Sequence, residues 1–318
     1  MNLIFIQEST ITKSNMIHFL YNYFLTRKPL KKANRVNHWL HWQLYKYLKV
    51  NLVAHYKTVS INSLEVDDAS TIIVSLTSFP GRIDVVYLAI RSILNQTLKP
   101  KKIVLWLGKD QFPLGEEELP QALLELIPLG LDIEFCEDIG AHTKYYYAFQ
   151  KYPDNLIVTV DDDIIYPTQM LSRLMETHHK HPHCVVANRI RYMEIKDHHI
   201  KPYRQWKINI VGSSNPSKML FATGVGGVLY QPRFFQDSFF DLEGIKKTNC
   251  IGDDVWLKAG QIASGIPVVF TDFYFEQFLE IPESQKETLF SKNVFDNDND
   301  RQVKEVFEYF GITEKSFD

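Results

Sequence analysis

The sequence predicts a fold of the α/β class, in which a mostly parallel central sheet lies between layers of helices and an N-terminal helical extension precedes it. Two observations predict this class. Between residues 71 and 160, β-branched strand patterns alternate with helical patterns over short connections, which implies parallel strands joined by right-handed crossovers. The chain also has 318 residues, 45% of them hydrophobic, which is enough to bury a large core in one or two domains.

The predicted elements follow one another in a regular order. Strand patterns rich in Val, Ile and Leu occur at 71–78, 103–108, 131–137 and 156–160. Helical patterns occur at 85–96, 116–126, 144–152 and 168–178. From 168 onward the pattern loosens, with strands at 184–190 and 267–271, a glycine-dense segment FATGVGGVLY at 221–230 and a helix that opens with GDDVWLKAG.

Composition divides the chain into three parts. Residues 1–60 form a basic, aromatic extension of net charge +8, while the remaining 258 residues carry −11. We predict a main domain over 70–280, with a nucleotide-binding half at 70–165 and an acceptor half at 166–280. The tail, 281–318, is predicted to be an acidic turn followed by a short amphipathic helix.

The extension contains one amphipathic helix around 31–50. Val36, Leu40, Leu44, Tyr47 and Leu48 share a face by helical spacing, and basic residues lie roughly opposite. Such a helix suits the interface of an anionic membrane, and it equally suits packing on the main domain with its basic side in solvent. Both interpretations remain open at this stage.

The remaining composition excludes several classes of protein. The net charge of −3 favours neither nucleic acid nor an acidic partner. Three widely spaced cysteines, Cys136, Cys184 and Cys250, are expected to be reduced thiols of a cytoplasmic protein, which would be peripheral on the inner face of the membrane if the extension binds lipid. No uninterrupted apolar stretch of about 18 residues predicts a spanning helix.

Three adjacent carboxylates, Asp161, Asp162 and Asp163, directly follow the strand LIVTV. Ligands of open α/β sheets bind at the carboxyl ends of the strands, where these aspartates lie. Alternation along a strand would direct Asp161 and Asp163 to one side, where a hard divalent ion such as Mg²⁺ or Mn²⁺ would neutralise them. The sequence therefore predicts a metal–diphosphate site, and a solvated acidic loop explains three carboxylates less well.

Four motifs together resemble the nucleotide-sugar glycosyltransferases of the GT-A fold, close to the bacterial family-2-like group that builds capsule and lipopolysaccharide. They are IIVSLTSFPGRI, SILNQTLKPKKIVLWLG, VDDD and GDDVWL, and the likeness covers about 70–275. It implies a GT-A-like, Rossmann-type α/β/α sandwich. It also implies metal-dependent transfer of a sugar of the hexose type from a UDP- or GDP-sugar to a glycan or lipid-linked acceptor, with inversion.

The resemblance also implies roles for single residues. Thr77, Arg82 and Lys144 would contact the nucleotide, and Asp161 and Asp163 would hold the metal, with Asp161 also near the ribose. The segment containing Gly226 and Gly227 would border the donor sugar and the acceptor. In GDDVWL, Asp254 would be the catalytic base and Asp253 would orient sugar hydroxyls, although one Asp at a helix start is also an ordinary cap.

Two departures from the family pattern limit these expectations. The acidic pair is Asp-Asp where the family usually has Glu-Asp, which leaves the order of base and orienting residue open. No QxxRW-type motif occurs, so processive synthesis is not expected.

Two other classes remain as alternatives. A HAD-like Mg²⁺-dependent phosphatase or phosphotransferase also uses Asp-x-Asp after a strand, but there the motif normally opens the domain. A non-catalytic glycan-binding module would leave the three aspartates unexplained.

Overall fold

The computed structural model describes residues 13–25, 35–59, 70–197, 199–208, 215–272, 278–282, 284 and 298–317. The strands are β1 (Ile72–Thr77), β2 (Lys102–Gly108), β3 (Leu131–Cys136), β4 (Leu156–Thr159), β5 (Ile164–Ile165), β6 (Val185–Ala187), β7 (Ile190–Tyr192), β8 (Ile195–Lys196), β9 (His199–Ile200), β10 (Lys207–Ile208), β11 (Leu220–Ala222), β12 (Val228–Tyr230), β13 (Val268–Phe270) and β14 (Leu279–Glu280). The helices are α1 (Lys13–Leu20), α2 (Arg35–Thr58), α3 (Val86–Leu94), α4 (Gln121–Leu124), α5 (Thr143–Lys151), α6 (Met170–Lys180), α7 (Leu242–Lys247), α8 (Asp253–Ala263) and α9 (Asp298–Tyr309).

A seven-stranded sheet in the order β13-β6-β12-β4-β1-β2-β3 forms the centre of the protein. Strands β1, β2, β3 and β4 pair in parallel, and β13 pairs in parallel with β6. Strand β12 is antiparallel to both β4 and β6, so six strands run one way and β12 runs the other. The predicted α/β class with a mostly parallel central sheet is confirmed.

Both faces of the sheet are buried. Ile73 and Trp106 point into a cluster that includes side chains of α5, α8 and α9. Their neighbours Val74 and Leu105 point into the opposite cluster, which includes side chains of α3, α4 and α6. This alternation with period two, apolar on both faces, is what a central parallel strand requires.

Two predicted elements differ from the structure. The helix expected over 116–126 is instead a 3₁₀ turn at Gly115–Glu118, the short α4 and a second 3₁₀ turn at Ile127–Leu129. Pro120 and Pro128 lack the amide hydrogens that a continuous helix needs. The strand expected over 184–190 divides into β6 and β7, because the chain bends at Asn188, whose side-chain amide donates to Gly226 O.

The described part of the N-terminal extension packs on the main domain. Leu48, Leu52 and Tyr56 of α2 are fully buried, in one cluster with Leu88 of α3 and Ile165 of β5. The opposite side of α2 is exposed, so packing on the main domain involves one face of the helix, and membrane binding by the other face remains a prediction. No helix among the described residues combines the length and apolarity needed to cross a membrane. The proposed boundaries at 60, 70 and 280 remain predictions.

The tail helix α9 packs against α8. Tyr309 at its end and Phe310 directly after it contact Trp256, with ring centroids 5.8 and 4.9 Å from that of the tryptophan. Gln302 Oε1 accepts a hydrogen bond from the amide of Gly252 over 2.8 Å. The tail therefore stabilises the position of Gly252, which immediately precedes the Asp253–Asp254 pair.

Candidate active site

Several loops meet at the carboxyl edge of the parallel strands. The chain leaves β1 there at Ser78, β4 at Val160, directly before Asp161, and β6 at Asn188. Because β12 runs in the opposite direction, the glycine segment that precedes it also lies at this edge. This is the edge at which open α/β sheets bind their ligands.

The three consecutive aspartates contact two different cations. Strand β4 ends at Thr159, so Asp162 and Asp163 lie in a turn, where strand alternation no longer sets their direction. Arg82 Nη1 lies 2.7 Å from Asp162 Oδ1 and 3.1 Å from Asp163 Oδ2. Ser78 Oγ donates to the other oxygen of Asp162 over 2.6 Å. Asp162 is thus a buried structural carboxylate, and Arg82 holds the turn.

Asp163 retains an unfavourable electrostatic environment. Burial, followed by the neighbouring carboxylates of Asp161 and Asp162, raises the pKa of Asp163 to about 7, although Arg82 opposes the shift. A further cation at this point would relieve the repulsion.

Lys144 lies at the centre of the site. It is buried in the first turn of α5, where Ser75 Oγ donates to its carbonyl oxygen over 2.5 Å. Its Nζ atom lies 2.8 Å from Asp161 Oδ1 and 3.0 Å from Asp253 Oδ2. Burial alone would lower the pKa of Lys144, but Asp161, Asp253 and Asp254 outweigh it and hold that pKa well above its ordinary value. Lys144 therefore joins the aspartate turn to the start of α8 as a fixed positive charge.

The acidic pair begins helix α8. Gly252 is the N-cap residue, so Asp253 is the first helical residue and not the cap that the sequence suggested. Asp254 Oδ1 accepts a hydrogen bond from the amide of Gly224 over 2.9 Å. Burial, followed by the charge of Asp253, raises the pKa of Asp254 to about 8, against the opposing effect of Lys144. A carboxylate with that pKa suits a general base near neutral pH.

His142 aligns the two elements that carry these groups. Its Nε2 lies 2.7 Å from Cys250 O, and its Nδ1 lies 2.8 Å from the hydroxyl of Tyr145. Burial lowers the pKa of His142, which favours the neutral ring. His142 precedes Lys144 by two residues, and Cys250 precedes Asp253 by three. The contact between His142 Nε2 and Cys250 O therefore fixes the start of α5 relative to the start of α8.

The other predicted site residues, Thr77, Gly226 and Gly227, lie around this network of charged side chains at different distances. Thr77 Oγ1 donates to Trp106 O over 2.9 Å at the end of β1. Gly226 packs against Arg189, where an added Cβ would lie 3.0 Å from the arginine Cβ. Gly227 has a φ of +82°, a conformation that favours glycine. At neither glycine does any of the three atoms nearest to such a Cβ belong to an acidic side chain.

Gly224 is the glycine that approaches the acidic network most closely. A Cβ there would lie 3.2 Å from both Asp254 Oδ1 and Lys144 Nζ, and 3.7 Å from Asp161 Oδ1. Sequence reasoning did not select Gly224 within the glycine-dense segment, although the density itself pointed to the segment. Sequence reasoning also missed Tyr166, whose hydroxyl accepts a hydrogen bond of 2.8 Å from the amide of Asp161.

The donor set fits a divalent cation with few protein ligands. Asp161 and Asp163 offer carboxylate oxygens, and their side chains are 27% and 15% exposed. Within the described ranges, no three His, Cys, Asp or Glu side chains are grouped to hold a metal ion. Two carboxylates suffice for an ion such as Mg²⁺ that completes its shell with water and phosphate oxygens.

No family model matches this chain, and no curated protein matches it significantly. Among solved structures, it is similar to the mannosyltransferase PcManGT from Pyrobaculum calidifontis in complex with GDP-Man and Mn²⁺, at 10% identity and a TM-score of 0.39, over 73% of this chain and 63% of that one. It is also similar to TarS of S. aureus in complex with UDP-GlcNAc, at 10% identity and a TM-score of 0.38, over 62% and 55%.

The first neighbour is a mannosyltransferase by name, both were solved with a nucleotide-sugar, and this chain spans less than two thirds of each. At these identities and TM-scores, the likeness carries no argument about the residues or the activity of this chain.

Proposed function

We propose that this protein is a glycosyltransferase that moves a sugar, of the hexose type, from a UDP- or GDP-sugar to an acceptor hydroxyl with inversion. One observation carries the proposal: Lys144 brings the Asp161–Asp163 turn and the Asp253–Asp254 pair together at the carboxyl edge of the sheet. That arrangement supplies a place for a diphosphate and, beside it, a carboxylate able to accept a proton.

Asp254 is the proposed base. The amide of Gly224 holds one of its oxygens, and the other takes the proton of the acceptor hydroxyl as that hydroxyl attacks the anomeric carbon. Asp254 must be ionised to do this, so the pKa near 8 sets the pH at which it becomes competent. Asp253, paired with Lys144, orients the donor sugar next to it.

Asp161 and Asp163 would hold Mn²⁺ or Mg²⁺. When bound, such an ion offsets the negative charge that develops on the leaving diphosphate. Arg82 keeps the turn in place through Asp162, and Thr77 at the end of β1 lies on the side proposed for the nucleotide. Gly226 and Gly227 keep side chains away from the sugar.

The proposed acceptor is a glycan or a lipid-linked glycan in the synthesis of a surface polysaccharide such as capsule or lipopolysaccharide, with one sugar added per encounter. The proposed acceptor rests on the resemblance of the sequence motifs. With such an acceptor, the enzyme would act in the cytoplasm, at the inner face of the membrane.

The exposed side of α2 supports that location. Its outer face, defined here as Trp39, Tyr47 and Val50 with Lys46 and Lys57, exposes 58%, 45% and 68% of its three apolar side chains. Helix α2 contains no acidic residue, so its charge complements an anionic lipid surface. Aromatic, aliphatic and basic side chains on one face are typical of helices that lie in a membrane interface.

Vesicle sedimentation tests the membrane location. The full chain should sediment with vesicles containing phosphatidylglycerol but not with pure phosphatidylcholine, and Trp39→Ser with Val50→Ser should weaken binding about tenfold. Leu114→Ser, at an equally exposed leucine elsewhere, should not change it. Equal binding by both variants would exclude the outer face as the contact.

A direct assay separates the glycosyltransferase from the two alternatives. Release of UDP or GDP from nucleotide-sugars in the presence of Mn²⁺ supports transfer. Hydrolysis of p-nitrophenyl phosphate without such release would support the HAD-like phosphatase, although β1 to β3 precede the aspartate strand in this sheet. Sugar binding without turnover of either substrate would support a binding module.

A further inference from the structure

Two arginines near Asp254 have no part in the proposed chemistry. Arg189 directly precedes β7, and Arg191 lies within it, in the three-stranded sheet β10-β7-β11. Arg189 Nη1 donates to Thr223 Oγ1 over 2.9 Å, and the next residue, Gly224, donates its amide to Asp254. The two consecutive residues Thr223 and Gly224 therefore connect the guanidinium of Arg189 with the proposed base.

Aromatic rings hold both guanidinium groups in place. Arg191 Cζ lies 4.4 Å from the ring centroid of Tyr203, and Arg189 Cζ lies 5.5 Å from that of Phe278. A guanidinium stacked on a ring keeps its N–H edge available for contacts in its own plane. The Nε atom of Arg191 is buried and has no hydrogen-bond partner in the part of the chain that the structure describes.

The charge around the two arginines is incompletely balanced. Among the described residues, no salt bridge joins either one to a carboxylate. Burial, together with the positive charge of Arg191, lowers the pKa of Arg189, while Tyr203 and Asp254 act in the opposite direction. Two neighbouring cations in a half-buried position favour an anion as their missing partner.

The position of the arginines assigns that anion to the acceptor. Arg189 is linked to Asp254 through Thr223 and Gly224, whereas Asp161 and Asp163 are paired with Lys144 and Arg82. We propose that Arg189 and Arg191 form an anion subsite beside Asp254, which selects an acceptor that carries a phosphate or carboxylate group. The inference rests on the proposed function, because it names the substrate class of the same site.

Calorimetry with small anions tests the subsite. Inorganic phosphate and D-glucuronate are titrated into the full chain with Mn²⁺ and saturating UDP or GDP, and D-glucose serves as the neutral probe. We expect both anions to bind and glucose not to bind. Arg189→Gln and Arg191→Gln should each weaken anion binding about tenfold or more, because each removes a charge-assisted contact. The control Arg173→Gln, at an exposed arginine of α6, should leave it unchanged.

Three results would overturn the inference. Undiminished anion binding by both glutamine variants, or no anion binding by the wild type, removes the subsite. If those variants lose binding of UDP and GDP, and nucleotide displaces phosphate from the wild type, the arginines bind the donor diphosphate instead. If the glutamine variants fail to fold by circular dichroism, Arg191→Lys replaces them: it keeps the charge but loses the planar fork, so weaker binding is again expected.

The test also separates this inference from the proposed function. If the wild type binds neither UDP nor GDP, the donor assignment fails. Phosphate titration without nucleotide then still decides whether Arg189 and Arg191 bind an anion.

Discussion

The Nζ atom of Lys144 donates a hydrogen bond of 2.8 Å to Asp161 Oδ1, and thereby ties helix α5 to the end of strand β4. The same ammonium group lies 3.0 Å from Asp253, at the start of α8. One buried cation thus links the two halves of the candidate site. It also means that the protein itself supplies part of the positive charge that the sequence assigned wholly to a metal.

Replacing Lys144 should destabilise the protein strongly. Lys144→Met leaves the buried Asp253 and the partly buried Asp161 without their cation, and loss of one partner of a buried pair costs about 3–5 kcal/mol. Urea denaturation measures the loss. The control Lys151→Met removes the more exposed pair with Glu134 and should cost about 1 kcal/mol or less. Equal effects of the two variants would mean that Lys144 is not a buried charge in the folded protein.

Asp162 and Asp163 should differ in what they support. Asp163→Asn should abolish Mn²⁺-dependent binding of UDP or GDP, because it removes a proposed metal ligand. The free energy of unfolding should change little, because the neutral side chain relieves the repulsion from Asp161 and Asp162 as the contact with Arg82 weakens. Asp162→Asn should instead reduce stability, because Asp162 binds Ser78 and Arg82 in the turn. Calorimetry and urea denaturation of both variants decide it. Equal losses of metal-dependent binding would contradict the separate roles.

The raised pKa of Asp254 should set the pH dependence of the reaction. Because the base must be ionised, kcat/KM should rise with pH through about 8, and Asp254→Asn should bind donor normally but react about 10²–10⁴-fold more slowly, without that rise. If Asp254→Asn binds no donor, Asp254 is a donor ligand and Asp253 becomes the better candidate for the base.

The same pKa has a consequence for stability. The folded protein keeps the Asp254 proton that the unfolded chain releases near the ordinary value of 3.8. The contribution of Asp254 to stability is therefore complete below that value and is lost as pH rises through about 8. The stability of the wild type relative to Asp254→Asn should fall between pH 4 and 8, as urea denaturation at several pH values measures. A constant difference would show that this pKa is not raised.

Helix α2 should be a structural part of the main domain. Leu52→Ala is expected to cost about 2–5 kcal/mol, because Leu52 is fully buried between α2 and α3. Val50→Ala, two residues earlier on the outer face, should change stability by about 0.5 kcal/mol or less. A small effect of Leu52→Ala would mean that the extension is only loosely attached.

The sequence predicted the sheet well where one strand directly follows one helix. Strands β1 to β4 lie within a residue or two of their predicted limits, because buried parallel strands read as continuous Val, Ile and Leu runs. It also placed Asp161 at the end of β4 and the Asp253–Asp254 pair at a helix start, since both positions follow from the local pattern.

Contacts between residues far apart in the chain could not be predicted from the local sequence pattern. Nothing in VLY indicates that β12 inserts antiparallel between β4 and β6 and so brings Gly224 to the aspartates. The pairing of Arg82 with Asp162, 80 residues away, is a tertiary contact of the same kind. The apolar stripe predicted for α2 is divided in the structure, with Leu48 buried and Tyr47 exposed, because packing on α3 selects a different side of the helix.

The release of nucleoside diphosphate from sugar donors tests the central claim most directly. The protein is incubated with a panel of UDP- and GDP-sugars and Mn²⁺, and free UDP and GDP are measured for the wild type, Asp163→Asn and the control Arg173→Gln. The account predicts release from at least one donor, unchanged in Arg173→Gln and lost in Asp163→Asn. Release that Asp163→Asn leaves intact, or hydrolysis of p-nitrophenyl phosphate with no release from any donor, would contradict it.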